Sequence, residues 1–304
     1  MSIILLAGIP IFFIIALGAL LRVLKVADDQ WVTVLNKFEL YLGLPALVLA
    51  NVLNVSDTGA VTSEVIAINV VLLSAIIAGI YIIGAIFHVE KSLRNTYCIC
   101  IFFGNIAYLG LPFVTALLPG SGGSVAIHIV IYVLILFTLG IAILEWSQRT
   151  MDSLGKILLK VITSPLVITS LVGILVLAFR LEAPEVIHKS ISLLAGSASP
   201  IALLSLGIFI GHKIHWDMSM LHATAISFAK LLLVPLVFLG ASYIFNVQGG
   251  FSVSILEAAM PLAVTPFALS QVYNLNRHVI SNAVLLSTIL SMVTLPLFGY
   301  LALA

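Results

Sequence analysis

Charge is scarce in this chain. Of 304 residues, 62% are hydrophobic and only 8% are charged, whereas a soluble globular domain carries about 25% charged residues. So apolar a chain cannot cover its own surface in water. The mean hydropathy of +1.26 makes lipid the expected solvent. With a net charge of +1, no global field draws nucleic acid or acidic partners. Cysteine is nearly missing. Cys98 and Cys100 lie inside an apolar run, are too few for a disulfide framework or a metal site, and read as small buried hydrophobes. There is no Walker loop, no Gly-x-Ser-x-Gly elbow and no His/Cys/Asp cluster at metal spacing. An enzyme, direct ATP drive, a cofactor and a resident metal are therefore not expected. No long polar segment interrupts the chain. The start, Met1-Ser2-Ile3-Ile4, lacks the basic region of a signal peptide, so the first apolar run is expected to be a retained span.

What is present is a series of long apolar runs. A bilayer core takes about 20 such residues per helix. Cutting at polar or Gly/Pro clusters predicts ten spans, at about 3–24, 32–53, 64–87, 95–118, 124–145, 157–179, 188–211, 220–244, 252–273 and 279–303. The runs are continuous rather than alternating, which predicts helices and not a lipid-facing barrel. One set of connections holds ten cations, namely Arg22, Lys25, Lys37, Lys91, Arg94, Arg149, Lys156, Lys160, Lys213 and Arg277. The opposite set holds Arg180 and Lys189. The cation-rich side is expected to be cytoplasmic, which places both termini outside a cell membrane.

Prolines recur at a nearly fixed offset. Pro10 and Pro165, Pro45 and Pro200, and also Gly18 and Gly173 are 155 apart, while Pro112 and Pro266, each followed by Phe, are 154 apart. The offset splits the chain into five-span halves, 1–150 and 151–304. An odd number of spans forces the second half to enter the membrane inverted, and inverted repeats are a feature of transporters.

Two spans carry breakers near their middle. Span 4 contains Gly104-Asn105-Ile106-Ala107-Tyr108-Leu109-Gly110-Leu111-Pro112, and span 9 contains Met260-Pro261-Leu262-Ala263-Val264-Thr265-Pro266. Proline removes a backbone donor, and glycine tolerates the unwound chain. Unpaired backbone at membrane depth is tolerated only inside protein or along a cavity. The second half of each broken helix presents amides and a dipole that favour an anion. The alternative is that these prolines merely kink their helices.

Few polar residues remain inside the spans. Lys230 either attracts a substrate carboxylate or serves as a structural counter-ion. Glu257 and His128 are candidates for carrying a coupling proton, or else reach the outer interface. Asn105, Thr265 and Gln271 flank the breaks and suit carboxylate binding and backbone capping alike. Tyr108 packs on a substrate or in the core. Lys37 and Glu39 are expected to snorkel at the cytoplasmic boundary. Gly18 stands without a Gly-x-x-x-Gly partner in span 1.

Asn105-x-x-Tyr108-Leu109-Gly110-Leu111-Pro112 resembles the auxin efflux carrier family of membrane transporters, in its bacterial branch. So do Met260-Pro261-x-Ala263 with Tyr273, Leu44-Pro45-Ala46, and Ser199-Pro200-x-Ala202-Leu203 with Gly207. The resemblance runs along nearly the whole chain. It implies an all-α fold of two inverted five-helix repeats in which broken helices 4 and 9 cross. Spans 1, 2, 6 and 7 would form a scaffold, and spans 3–5 with 8–10 a transport domain. Asn105, Pro112 and Pro261 would lie at the crossing where a carboxylate binds. Such proteins move malate- or malonate-like acids in bacteria and auxins in plants. Ile106-Ala107-Tyr108 replaces the plant pattern at the first break, Pro266 accompanies Pro261, and the long plant loop is absent, which speaks against auxin. A related architecture in bile-acid sodium symporters keeps Na+ open beside H+ as coupling ion.

The expectation is a secondary transporter for a small organic anion, with membrane lipid as solvent. The substrate-binding candidates are Asn105, Tyr108, Gly110, Pro112, Lys230, Pro261, Thr265, Pro266 and Gln271. The rival is a non-transporting receptor or sensor of the same fold. Oligomeric state stays open, a homodimer being one option.

Overall fold

The computed structural model describes residues 2–53, 61–148, 165–179, 184–211, 217–270 and 273–303. In chain order its α-helices are α1 (Ser2–Val23), α2 (Asp29–Phe38), α3 (Leu44–Leu53), α4 (Ser63–Ile86), α5 (Lys91–Phe102), α6 (Leu111–Leu117), α7 (Gly122–Ile135), α8 (Ile141–Gln148), α9 (Pro165–Phe179), α10 (Glu185–Ile210), α11 (Met218–Phe228), α12 (Val234–Ile244), α13 (Gln248–Ala258), α14 (Thr265–Leu269) and α15 (Arg277–Leu303). Single π-turns interrupt them at Glu39–Gly43, Ile106–Gly110, Leu136–Gly140 and Ala229–Leu233. Among the described residues there is no strand.

Among the described residues, seven helical stretches are long and apolar enough to cross a bilayer: Leu6–Val23, Asp29–Asn51, Ser63–Ile86, Gly122–Ser147, Glu185–Ile210, Met218–Ile244 and Arg277–Leu303. The chain is a multi-pass α-helical membrane protein. The other expected spans fall short of a continuous crossing for identifiable reasons. The runs 95–118 and 252–273 are broken helices. The run 157–179 is described only over Pro165–Phe179.

Two compact units emerge from the packing. Unit 1 comprises Met1–Ala60, Ala107–Val130 and Ile162–Lys213, and unit 2 comprises Val61–Ile106, Ile131–Val161 and Ile214–Ala304.

Unit 1 is organised by α10, against which α1 and α3 lie. Gly18 of α1 meets Gly207 of α10. A Cβ on Gly18 would strike the carbonyl of Leu204, and one on Gly207 the carbonyl of Ile15. Apolar lipid gives little hydrophobic drive to helix pairing, so close backbone approach at small residues holds the pair. The glycine that stands alone in span 1 thus has its partner on another helix. Asp28 caps α2 by accepting from the amides of Gln30 and Trp31 at 2.9 and 3.2 Å. Arg22 pairs with Asp29 at 2.9 Å and ties the end of α1 to that start. Glu39 corrects an expectation. It does not snorkel but is only 2% exposed, and neither carboxylate oxygen has a hydrogen-bond partner among the described residues. The π-turn Glu39–Gly43 adds a residue to the helical turn, and side-chain-free Gly43 leaves room for the carboxylate.

Unit 2 is held by polar staples between helices. Asn69 donates to Ser254 at 2.9 Å, Asn282 to Ser219 at 2.9 Å, and the Tyr273 hydroxyl to Glu145 at 2.9 Å. The Asn276 amide donates to Thr96 Oγ1 at 2.9 Å. In a membrane each such bond contributes about 0.6 kcal/mol, and together they fix register.

Replacing Gly18 or Gly207 by Val forces the α1–α10 crossing apart. Stability is expected to fall by about 1–3 kcal/mol or more, read as a lower thermal midpoint in detergent. An unchanged midpoint would contradict the close crossing.

Candidate functional site

The site lies within unit 2, where α5 and α13 both stop in mid-run. After Phe102 the chain turns extended, with Phe103 at φ −90° and ψ 93°. α13 ends at Ala258, and 259–264 is non-helical. The two unwound segments run antiparallel, with Gly104 opposite Leu262. The Asn105 amide donates to the Pro261 carbonyl at 2.7 Å, and the Ala263 amide donates to the Phe103 carbonyl at 3.2 Å. The Leu262 amide donates to Ser287 Oγ of α15 at 3.1 Å. Each break therefore satisfies the other's backbone, as membrane depth requires. Pro261 suits its place because it has no amide to satisfy. Gly104 suits its place because a Cβ there would come within 3.0 Å of Lys230 Nζ and 3.3 Å of the Met260 carbonyl.

Lys230 sits in the π-turn Ala229–Leu233 and has no exposed surface. Its ammonium donates to the carbonyl of Ala258 at 3.1 Å, the last residue of α13. A cation there complements the negative end of the helix dipole. Glu257 is also wholly buried, and neither carboxylate oxygen has a hydrogen-bond partner among the described residues. It lies near Lys230 and the buried Tyr132. A central lysine costs roughly 3 kcal/mol to insert; the carbonyl and the acidic neighbour offset that cost.

The structure brings Asn105, Pro261, Lys230 and Glu257 to this crossing. Asn105 is 5% exposed. Pro266 is buried and Thr265 exposed, at the start of α14. Pro266 opens that helix instead of breaking one, since proline is accepted in a first turn. Gln271 lies outside the described residues. Tyr108, Gly110, Pro112 and His128 belong to unit 1. There Tyr108 and Pro112 are half-buried and Gly110 is buried. His128 is 1% exposed, its Nδ1 2.7 Å from the Ser124 carbonyl. The idea of bare amides at both breaks is also modified. The amides of Asn105, Leu262 and Ala263 are already engaged, and α14 is only five residues long. Ser287 was missed in the sequence. One hydroxyl in an apolar run gives no sign that it will receive an amide from another helix.

Interrupted helices that meet at membrane depth are a feature of membrane transport proteins. The chain is a member of the auxin efflux carrier family: the profile of that family, described as Membrane transport protein, matches residues 3–299. It is similar to an uncharacterized transporter of Methanothermobacter thermautotrophicus, with 26% identity over 96% of both chains. An uncharacterized transporter of Methanocaldococcus jannaschii shares 21% identity over 96% of this chain and 97% of its own. Auxin efflux carrier component 8 of Arabidopsis thaliana is 32% identical over 51% of this chain and 44% of the plant protein.

Lys230 and Glu257 are both wholly buried and close to one another, so Lys230→Met and Glu257→Met should each lower stability, and the double variant by less than their sum. Thermal unfolding of the four proteins measures this cycle; strict additivity would show that the two groups do not interact.

Proposed function

We propose that this protein is a secondary transporter that carries a small organic anion, a malate- or malonate-like carboxylate or an auxin-like acid, by alternating access. The observation that carries the reading is the backbone pairing of two interrupted helices at Gly104 and Leu262, in a chain whose family transports solutes. Ten spans follow from the apolar runs, and the proline offset divides them into two inverted five-helix repeats, 1–150 and 151–304. The seven continuous crossings, the two broken helices and α9 are compatible with that count. In this reading spans 1, 2, 6 and 7 form the scaffold and spans 3–5 with 8–10 the transport domain. The segments of unit 1 include those scaffold spans, together with 107–130. Both termini lie outside the cell membrane.

The substrate carboxylate binds beside the crossing, with Asn105 donating and Lys230 supplying charge. Tyr108, Gly110, Pro112, Pro261, Thr265, Pro266 and Gln271 complete the candidate set. H+ or Na+ provides coupling, with Glu257 and His128 as the proton candidates.

Tracer flux in proteoliposomes, across a panel of mono- and dicarboxylates, tests the reading. Saturable uptake with counterflow is expected for at least one acid. Asn105→Ala should lower it about tenfold, the equivalent of one hydrogen bond to a charged group. Binding without flux for every acid would describe a receptor and overturn the proposal. Uptake that follows a Na+ gradient, a pH gradient or neither separates the coupling schemes.

A further inference from the structure

Unit 2 carries a cavity that the transport reading does not use. It is a groove of about 630 Å³ between α4, the start of α5, and the stretch from α11 into α12, within the size range of small-molecule sites. Its long walls are apolar, and Ile83, Phe87 and Leu233 on them are exposed. On a membrane protein that exposed side faces hydrocarbon. The floor at Gly79 is open, since a Cβ there would meet nothing within 4 Å.

One end of the groove is polar. Arg94, Tyr97 and His222 line it. Arg94 is the fourth residue of α5 and His222 the fifth of α11, and α4 has just ended at Ile86. The polar end therefore lies where three helices begin or end, at headgroup level, and the apolar part runs toward mid-span. Arg94 is held in place. Its stem lies across Gly84, where a Cβ would come within 2.8 Å of Arg94 Cγ. Its guanidinium stacks 4.4 Å from the centre of the Tyr81 ring and donates to the Tyr81 hydroxyl at 3.2 Å. Its Nε is buried with no hydrogen-bond partner, and no carboxylate pairs with it among the described residues. The Tyr97 hydroxyl lies 3.0 Å from His222 Nδ1, which leaves His222 Nε2 for a ligand.

An apolar trough along the membrane normal, ending in an immobilised and unpaired cation, has the shape and charge of a phospholipid with an anionic headgroup. We propose that this groove is a binding site for an anionic phospholipid, with an acyl chain along α4 and α12 and the phosphate at Arg94 and His222. A small carboxylate substrate matches only the polar tip. Basic pockets between helices on the cation-rich face are where anionic headgroups bind, and Lys91 beside Arg94 belongs to that face by the charge distribution.

Native mass spectrometry of the purified protein, titrated with dioleoyl phosphatidylglycerol or dioleoyl phosphatidylcholine, tests the site. Phosphatidylglycerol should bind in preference. Arg94→Gln should weaken it about fivefold, the value of one cation near a headgroup, while leaving phosphatidylcholine unchanged. Gly79→Leu fills the trough without a clash and should remove the tightest phosphatidylglycerol molecule; its thermal midpoint without lipid serves as the folding control. sn-Glycerol 3-phosphate should not compete. Equal binding of the two lipids, indifference to both substitutions, or full competition by glycerol phosphate would each overturn the proposal.

Discussion

The constraint on which unit 2 depends is that a broken helix cannot stand alone in lipid. An unwound segment at membrane depth exposes amides and carbonyls with no water to receive them, at several kcal/mol for each group. Here the remedy is reciprocal. The segment after α5 and the segment after α13 supply each other's hydrogen bonds, and Ser287 supplies one more. Neither break is tolerable without the other, so α5, α13 and α15 are committed to one arrangement. Lys230 follows from it. The carbonyl of Ala258 is left over where α13 stops, and the π-turn in the neighbouring helix aims an ammonium at it.

The two units use different means of holding helices together where the solvent is as apolar as their surfaces. Unit 1 relies on close approach, with Gly18 and Gly207 letting backbones touch. Unit 2 relies on side-chain hydrogen bonds donated by Asn69, Asn282 and Tyr273 and accepted by Thr96. The first is short-range dispersion and the second is directional. Directional bonds suit a unit that has to keep a backbone crossing in register, because a slip of one residue at Gly104 would drive a side chain into Lys230.

Much of the fold was legible in the sequence because bilayer thickness sets helix length. The runs around Ser63–Ile86 and Arg277–Leu303 lie within a few residues of their expected bounds. The breaks were legible too, since Gly104 and Pro261 are costly in a continuous helix. Facing was not legible. A helix that is apolar on every side carries no periodic signal of which face meets protein, so Ser287, Glu145 and the inward turn of Glu39 left no trace. A π-turn compounds the problem, because it rotates everything beyond it and has no fixed residue signature. Pro266 lies at the second position of α14 as Pro112 does in α6, since proline is accepted in the first turn of the half-helix that follows a break.

Charge balance at the crossing constrains any substrate that binds there. With the amides of Asn105, Leu262 and Ala263 engaged, Lys230 is the positive group in place, and its field is already shared between the Ala258 carbonyl and Glu257. On the transport reading proposed above, an incoming carboxylate would be the second acid to claim one ammonium. In a low-dielectric site the desolvation of that second carboxylate and its repulsion by Glu257 both offset the attraction of the cation. On that reading the guest would enter most readily with a proton on Glu257, and competition for a single lysine would link anion binding to proton binding.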